Sequence, residues 1–535
     1  YGWKALMRRS VRAGDVIMRV KPYIAIPLPE NHSEICHQCL GFSPKLFRCE
    51  GCNYSRFCSS SCMVAHRRVH NEECATLARL QELNLIGKDP KVWDGSSGVQ
   101  IGPGAMIMLT RMHSLVRIQE SKQNLKVHGA RAAQGGTLVL KVKPKPGTTH
   151  KELLDLPPPE FFGADWEGLK IKFAKELTSF RQFVKLDLFH TLDPLVSAGL
   201  VLRGNVHIRS LVEQETGDPT GGQAIYIPLA YIRHSCDPSG HLTIAKAGEG
   251  YVVATRDLQP GDELTLSLVD VSMSRKDRNE GLSQWFLNAK CTCSRCIDAA
   301  NGRSPDMLHK AFCCRGCGTS KPLASTVSEG VACGDCKAEY TRKDILEAET
   351  KVNKLIDDTK SLLQHDLSRA AALLSDKLPN LIASFDKKEK NDIGVVLHPC
   401  HDSAIGALSL RRLLAAYTSP AVAGEIFKHY TRGLEELRLP VCPKKADAYA
   451  SLGRFLIENR KVDQDRNKNR TLALKVFEKA LDMRIKLHGT NHSLTREAKK
   501  YLDEAKGVAL RPSAGEAQRR RKGGRKKAKG RKNKR

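Results

Sequence analysis

Two hydropathy rhythms divide this chain. Near the start, Ala13-Gly14-Asp15 leads into Val16-Ile17-Met18, a turn followed by a β-strand. Further on, AIYIPLAYIRHSC (Ala224 to Cys236) and YVVATRDLQPGDELTLSLVD (Tyr251 to Asp270) are short β-branched runs. They predict strands, with Pro260-Gly261-Asp262 breaking the second segment as a hairpin turn. In the last third the period changes: Lys444 to Asn459 and Ala473 to His488 place apolar residues at three- and four-residue steps, and Gly489 follows as a helix stop. Between Cys74 and Arg203 the chain reads as mainly helical, broken by loops at Lys141 to Gly147 and at Pro157-Pro158-Pro159. No apolar run is long enough to span a bilayer, which takes about 20 residues, so a membrane partner is not expected.

Length and charge add to this picture. At 535 residues the chain predicts several domains. The formal net charge is +29, and the segment from Arg519 to Arg535 holds only Lys, Arg, Gly, Ala and Asn. Its cations account for less than half of the excess, so the body is basic too. Such a balance predicts a polyanionic partner, most simply RNA or DNA, because phosphate contacts release condensed counterions. A solubilising or nuclear-targeting tail is the plainer reading. The sequence starts at Tyr1 rather than Met, so a preceding segment is left open.

Cysteine spacing carries the chemistry. Most of the 18 cysteines fall in short-spaced clusters within a long chain, which predicts metal binding in a reducing, intracellular setting rather than disulfides. Cys36, Cys39, Cys49, Cys52, Cys58, Cys62, His70 and Cys74 supply eight thiolate and imidazole ligands, enough for two tetrahedral zinc sites. His66 lies one helical turn before His70 on the same face. With eight ligands already counted it is read as a surface residue, exchange for His70 being the alternative. A second set, Cys314, Cys317, Cys333 and Cys336, has zinc-ribbon spacing, with Cys313 as a spare thiol. Cys400 and Cys442 have no neighbours in sequence and are expected to be buried as small apolar groups.

The first cluster resembles the MYND zinc finger. That resemblance implies that Cys36, Cys39, Cys58 and Cys62 share one zinc, that Cys49, Cys52, His70 and Cys74 share the other, and that the module docks partner proteins. The flanking segments resemble the two halves of a SET domain, which makes the whole similar to the SET and MYND (SMYD) family. The implied architecture is an α+β multidomain chain. It has an N-terminal SET half at 1–35, the finger at 36–74, a helical insertion at 75–203 and the core SET at 204–271. A post-SET zinc loop at 272–300, a ribbon-like segment at 301–340, a helical TPR-like domain at 341–510 and a basic tail at 511–535 complete it. The post-SET loop would hold a further zinc through Cys291, Cys293 and Cys296, with Cys236 as fourth ligand, for about four zinc ions in all. The helical domain and the finger would bind proteins.

The family's activity is methyl transfer from S-adenosylmethionine to a protein lysine, and the residues implied for it depart from its pattern. The second glycine of a GxG contact falls on Lys4, in Gly2-Trp3-Lys4. The asparagine of an NHSC motif is Arg233, beside His234. The tyrosine that closes the lysine channel is Leu268, and an aromatic before the post-SET loop is Ala289, with Trp285 and Phe286 nearby. Tyr226 or Tyr231 could replace the phenol, although both read more simply as strand packing. The expectation is therefore a zinc-stabilised, catalytically impaired scaffold in a ribonucleoprotein assembly. An active methyltransferase on histone or other lysines is the alternative.

Overall fold

The computed structural model describes residues 4–87, 89–94, 100–132, 149–156, 165–212, 219–244, 248–286, 290–317, 323, 331–383, 394–458 and 466–507. The loops expected at 141–147 and 157–159, and the basic tail, lie outside these residues. Two compact units are present: Tyr1–Ala311 with Leu437–Pro443 and Ile485–Leu494, and Phe312–Glu436 with Lys444–Arg484 and the segment from Thr495 onward.

In the first unit, β1 (Val16–Val20) and β2 (Ile24–Pro27) precede the cysteine-rich segment, where β3 (Phe47–Arg48) and β4 (Arg56–Phe57) pair as a short hairpin before α1 (Ser60–Glu82). The two-residue strands β5 (Trp93–Asp94) and β6 (Gln100–Ile101) follow. A helical stretch comes next: α2 (Pro103–Ala132), α3 (His150–Leu154), α4 (Trp166–Val184) and α5 (Pro194–His207). The chain then returns to strands β7 (Ile208–Val212), β8 (Pro219–Ile225), β9 (Arg233–His234), β10 (Gly240–Ile244), β11 (Gly250–Ala254) and β12 (Thr265–Leu266), and ends in α6 (Arg275–Phe286) and α7 (Ser294–Ala300).

The strands form small sheets that bring distant segments together. β1 pairs with β11, which pairs with β10; β2 pairs with β8, which pairs with β7; β9 and β12 run parallel. The turn before β1 is as the sequence predicts: Asp15 Oδ2 accepts the Arg12 N–H at 2.9 Å, and Gly14 takes φ +92°. A side chain there would meet the methyl of Ile485 at 2.6 Å, so glycine is required on both counts. Pro260-Gly261-Asp262 does make a turn, with the Asp262 N–H on the Gln259 carbonyl at 3.1 Å, but it joins no hairpin. The segments around it bridge instead to the N-terminal chain, Leu258 to Val11 and Glu263 to Leu6. Local periodicity could not foresee this, because the partners come from the far end of the sequence.

One apolar core joins β2, α1, α2, α4 and α5 through Ile26, Leu80, Met112, Leu177, Phe180 and Val201. A second, under the sheets, gathers Val20, Tyr226, Ile244, Val252, Leu264 and Leu266. In the second unit, β13 (Phe312–Cys314) pairs with β16 (Val395–Leu397), and β14 (Val331–Ala332) with β15 (Glu339–Tyr340). The rest is helical: α8 (Arg342–Leu362), α9 (Leu367–Lys377), α10 (Asp402–Leu413), α11 (Pro420–Glu436), α12 (Pro443–Glu458), α13 (Arg466–His488) and α14 (Ser493–Lys506). The predicted stop is seen at Gly489, whose φ of +79° and N–H bond to the Ile485 carbonyl at 2.8 Å cap α13.

Candidate metal centres and the cavity beside them

Within the cysteine-rich segment, each CxxC pair is wound tightly by the residue that follows it. Leu40 and Asn53 adopt left-handed φ values of 57° and 55°, and their N–H groups return to the carbonyls of Cys36 and Cys49 at 2.8 and 2.9 Å. Lys337 repeats this turn after Cys336, with φ 62° and a bond to Cys333. On α1, Ser59 caps the first turn by accepting the Cys62 N–H at 3.2 Å, and His66, His70 and Cys74 follow at four-residue steps. Four ligand sets result, each with its ligand atoms within 4.8 Å of one another. They are Cys36, Cys39, Cys58, Cys62; Cys49, Cys52, His70, Cys74; Cys236, Cys291, Cys293, Cys296; and Cys314, Cys317, Cys333, Cys336. Sets of four thiolates, or three with one imidazole, are the donor chemistry of structural zinc, and zinc is the metal that fits.

His66 corrects the expectation of a surface residue. It is buried, packs on Phe57 at 5.5 Å between ring centres, and is outside both ligand sets. Its Nδ1 lies 2.8 Å from Gln38 Oε1 and its Nε2 3.2 Å from Glu73 Oε1. Glu73 is the centre of this network. Its carboxylate accepts Arg111 Nε at 2.6 Å and Nη2 at 2.9 Å, and it stands 3.9 Å from the Nδ1 of the ligand His70. Burial alone would raise its pKa, but the Arg111 guanidinium and the two imidazoles hold it well below the usual carboxylate range. Arg111 also donates to the Ala25 carbonyl of β2 at 3.1 Å, so one ion pair ties the finger to the sheet.

The third set is supported in a similar way. Arg278, fully buried, donates to Asp306 at 2.6 Å and reaches Cys296 Sγ at 3.7 Å. Arg295 donates to the other Asp306 oxygen at 2.6 Å and to the carbonyls of Cys236 and Val271. His234 Nε2 lies 3.3 Å from Cys236 Sγ while its Nδ1 accepts the Leu268 N–H at 3.1 Å; burial lowers its pKa to about 4, so the ring is neutral. In the fourth set the Tyr340 hydroxyl contacts Cys314 Sγ at 2.8 Å.

Beside the third set is a cavity of about 720 Å³. Arg233, His234, Thr265, Leu268 and the Cys291–Ser294 loop are among its walls. Arg233 Nη1 pairs with Glu263, another lining residue, at 3.3 Å. Lys4, expected to point at a cofactor, is exposed and is not among the residues lining this cavity. Gly2 and Ala289 lie outside the described residues, as do the side chains of Trp285 and Phe286.

Neither tyrosine weighed for the missing phenol lines the cavity. Tyr226, buried at the end of β8, donates to the Gly248 carbonyl at 2.5 Å. Tyr231 sits in a 3-10 turn, Ile227–Tyr231, rather than a strand, because Pro228 starts that turn. Cys313, Cys400 and Cys442 are buried, and burial pushes the first two thiols up to about 12. The supporting Glu73, Arg111, Arg278, Arg295 and Asp306 were not foreseen. Only Glu73 carried a signal, being three residues after His70 on the same helix.

Residues 36–74 match the MYND finger family, the class that the interleaved first two ligand sets define. Over a longer span the chain is 23% identical to the histone-lysine N-methyltransferase ASHR1 of Arabidopsis thaliana across 360 residues, 66% of this chain and 64% of that protein. It is 23% identical to the N-lysine methyltransferase SMYD2 of Gallus gallus across 295 residues, and 22% to the histone-lysine N-methyltransferase SMYD3 of Homo sapiens across 309. These alignments span 57% and 59% of the two vertebrate proteins. Over these spans the chain is similar to SET and MYND domain proteins, and it covers less than two thirds of the length of each. Among the described residues no helix is long and apolar enough to cross a membrane.

Proposed function

We propose that this protein keeps the SET-type scaffold, split by the finger, as a docking framework without effective lysine methyl transfer, and serves a nucleic-acid assembly through its basic tail. The β1–β11–β10 and β2–β8–β7 sheets, whose strands come from both sides of the finger in sequence, support the split-SET reading, and the packing of α12 on α13 through Leu452, Leu456 and Phe477 supports a TPR-like end. One observation carries the catalytic part: among the described residues lining the cavity there is no tyrosine, and Leu268 forms the wall where the resemblance asks for a phenol. A leucine cannot orient an amine. Arg233, where the resemblance asks for an asparagine, stands in the same wall and is a further departure from the cofactor-binding pattern.

The second reading, an active protein-lysine methyltransferase, is favoured by the cavity's volume, which is in the range of small-molecule sites, roughly 300–1,000 Å³, and by the relatives named above. Calorimetry with S-adenosylmethionine separates the two. The expected result is no heat at millimolar cofactor; a micromolar dissociation constant would establish the second reading instead.

For the tail, the expectation is sequence-blind RNA binding by electrostatic contact. Binding of a fluorescein-labelled single-stranded RNA should fall steeply between low and physiological salt, about 10³–10⁵-fold for six to ten phosphate contacts. It should be largely lost when the chain is cut after Gly507. Affinity unchanged by salt or by the truncation would remove this part of the proposal.

A further inference from the structure

The parallel pairing of β9 with β12 is only two residues long, Arg233 with Thr265 and His234 with Leu266, and the Ser235 N–H on the Leu266 carbonyl at 2.9 Å is its last backbone bond. Leu268 lies just beyond it, yet it forms part of the cavity wall. Its amide is held by the His234 ring, Nδ1 accepting at 3.1 Å. Because Nδ1 accepts the Leu268 amide it carries no proton, which leaves the ring N–H on Nε2, facing Cys236 Sγ at 3.3 Å. One side chain therefore touches a zinc ligand with one nitrogen and the cavity wall with the other.

We propose that His234 is a positioning residue that couples the third zinc site to the cavity wall, donating Nε2–H to the Cys236 thiolate while its Nδ1 holds Leu268. The arrangement has a chemical logic. Four thiolates on one divalent ion leave a net charge of about −2, and a buried anion of that kind needs N–H donors on its sulfurs. Arg278 serves Cys296 in this way and His234 serves Cys236. The same zinc loop, Cys291 to Ser294, lines the cavity together with Leu268, so metal, ring and wall form one mechanical unit. Losing the metal would free both walls together. Metal occupancy thus sets the shape of the cavity, whatever ligand the cavity takes.

The two contacts can be separated by substitution. His234→Ala removes both. His234→Gln places an amide N–H near the position of Nε2 but nothing at Nδ1. In the full-length chain, His234→Ala should weaken zinc at one of the four sites by about 10–100-fold in a chelator competition, leaving the others unchanged. In the cadmium-substituted protein, one resonance should shift. Hydrogen exchange at Leu268 should speed up. His234→Gln should recover the zinc affinity and the cadmium resonance while Leu268 stays fast. If His234→Ala leaves every cadmium resonance and the zinc affinity unmoved, or if His234→Gln restores neither, the coupling role is overturned and the ring is only packing.

Discussion

Stripping zinc from this protein is expected to unfold residues 36–74 as a unit, a larger effect than any single side-chain change. The segment has little else to fold around: apart from its cysteines, the fully enclosed apolar groups in it are Leu40, Tyr54 and Phe57. So few cannot offset the entropy of ordering the segment, at roughly 1–2 kcal/mol per residue. Zinc supplies the difference, about 10–16 kcal/mol per structural site in finger peptides near neutral pH. Elemental analysis should find about four zinc ions per chain, one for each ligand set, and excess chelator should remove exchange protection across 36–74. Cys52→Ser, which breaks the Cys49–Cys52–His70–Cys74 set, should hold about three. Protection in this segment surviving full metal removal would contradict the folding role assigned here to the finger's two zinc sites.

Glu73→Ala is the second large expected effect. It leaves the Arg111 guanidinium, only 8% exposed, without its carboxylate, and removes the partner of both His66 and His70. Breaking a buried pair from one side costs about 3–5 kcal/mol, because the remaining charge is uncompensated. Denaturant midpoints at neutral pH should report that loss, and a change under about 1 kcal/mol would mean the network is solvated. The effect has a definite pH signature. The folded carboxyl titrates below its unfolded value of about 4.3, so the folded state binds fewer protons there. Its contribution is complete above that value and is lost as pH falls through the folded pKa. The gap between the native chain and Glu73→Gln should be constant from pH 5 to 8, and narrow below about 4.3.

What could be read from the residues was whatever depends on short spacing. The CxxC pairs, the turn at Gly14 and the stop at Gly489 are all set by a few neighbours, and each is visible in one line of sequence. His66 was misplaced because helical spacing gives the face of a helix but not what covers that face. Here the cover comes from Gln38, Phe57 and Glu73. Tyr231 was expected to pack in a strand because it lies in the apolar run from Ala224 to Ile232, and Pro228 turned the backbone first. The supports of the metal sites were invisible for a different reason. Arg111 is 38 residues from Glu73, and Asp306 is 28 from Arg278. A buried ion pair of this kind leaves no periodic trace, since either partner alone looks like a surface charge.

The pairing of β1 with β11 has a consequence in time. Val16 faces Val253, so the first strand cannot close until a ribosome has made roughly 240 further residues. At 5–20 residues per second this takes on the order of 10–50 s. The finger is complete much earlier, with all eight ligands emerging between Cys36 and Cys74. During synthesis it can take up its two metal ions while the strand before it still lacks a partner. The nascent chain would thus carry an already folded module behind an unpaired, apolar strand edge, which is the kind of exposed segment that chaperones hold.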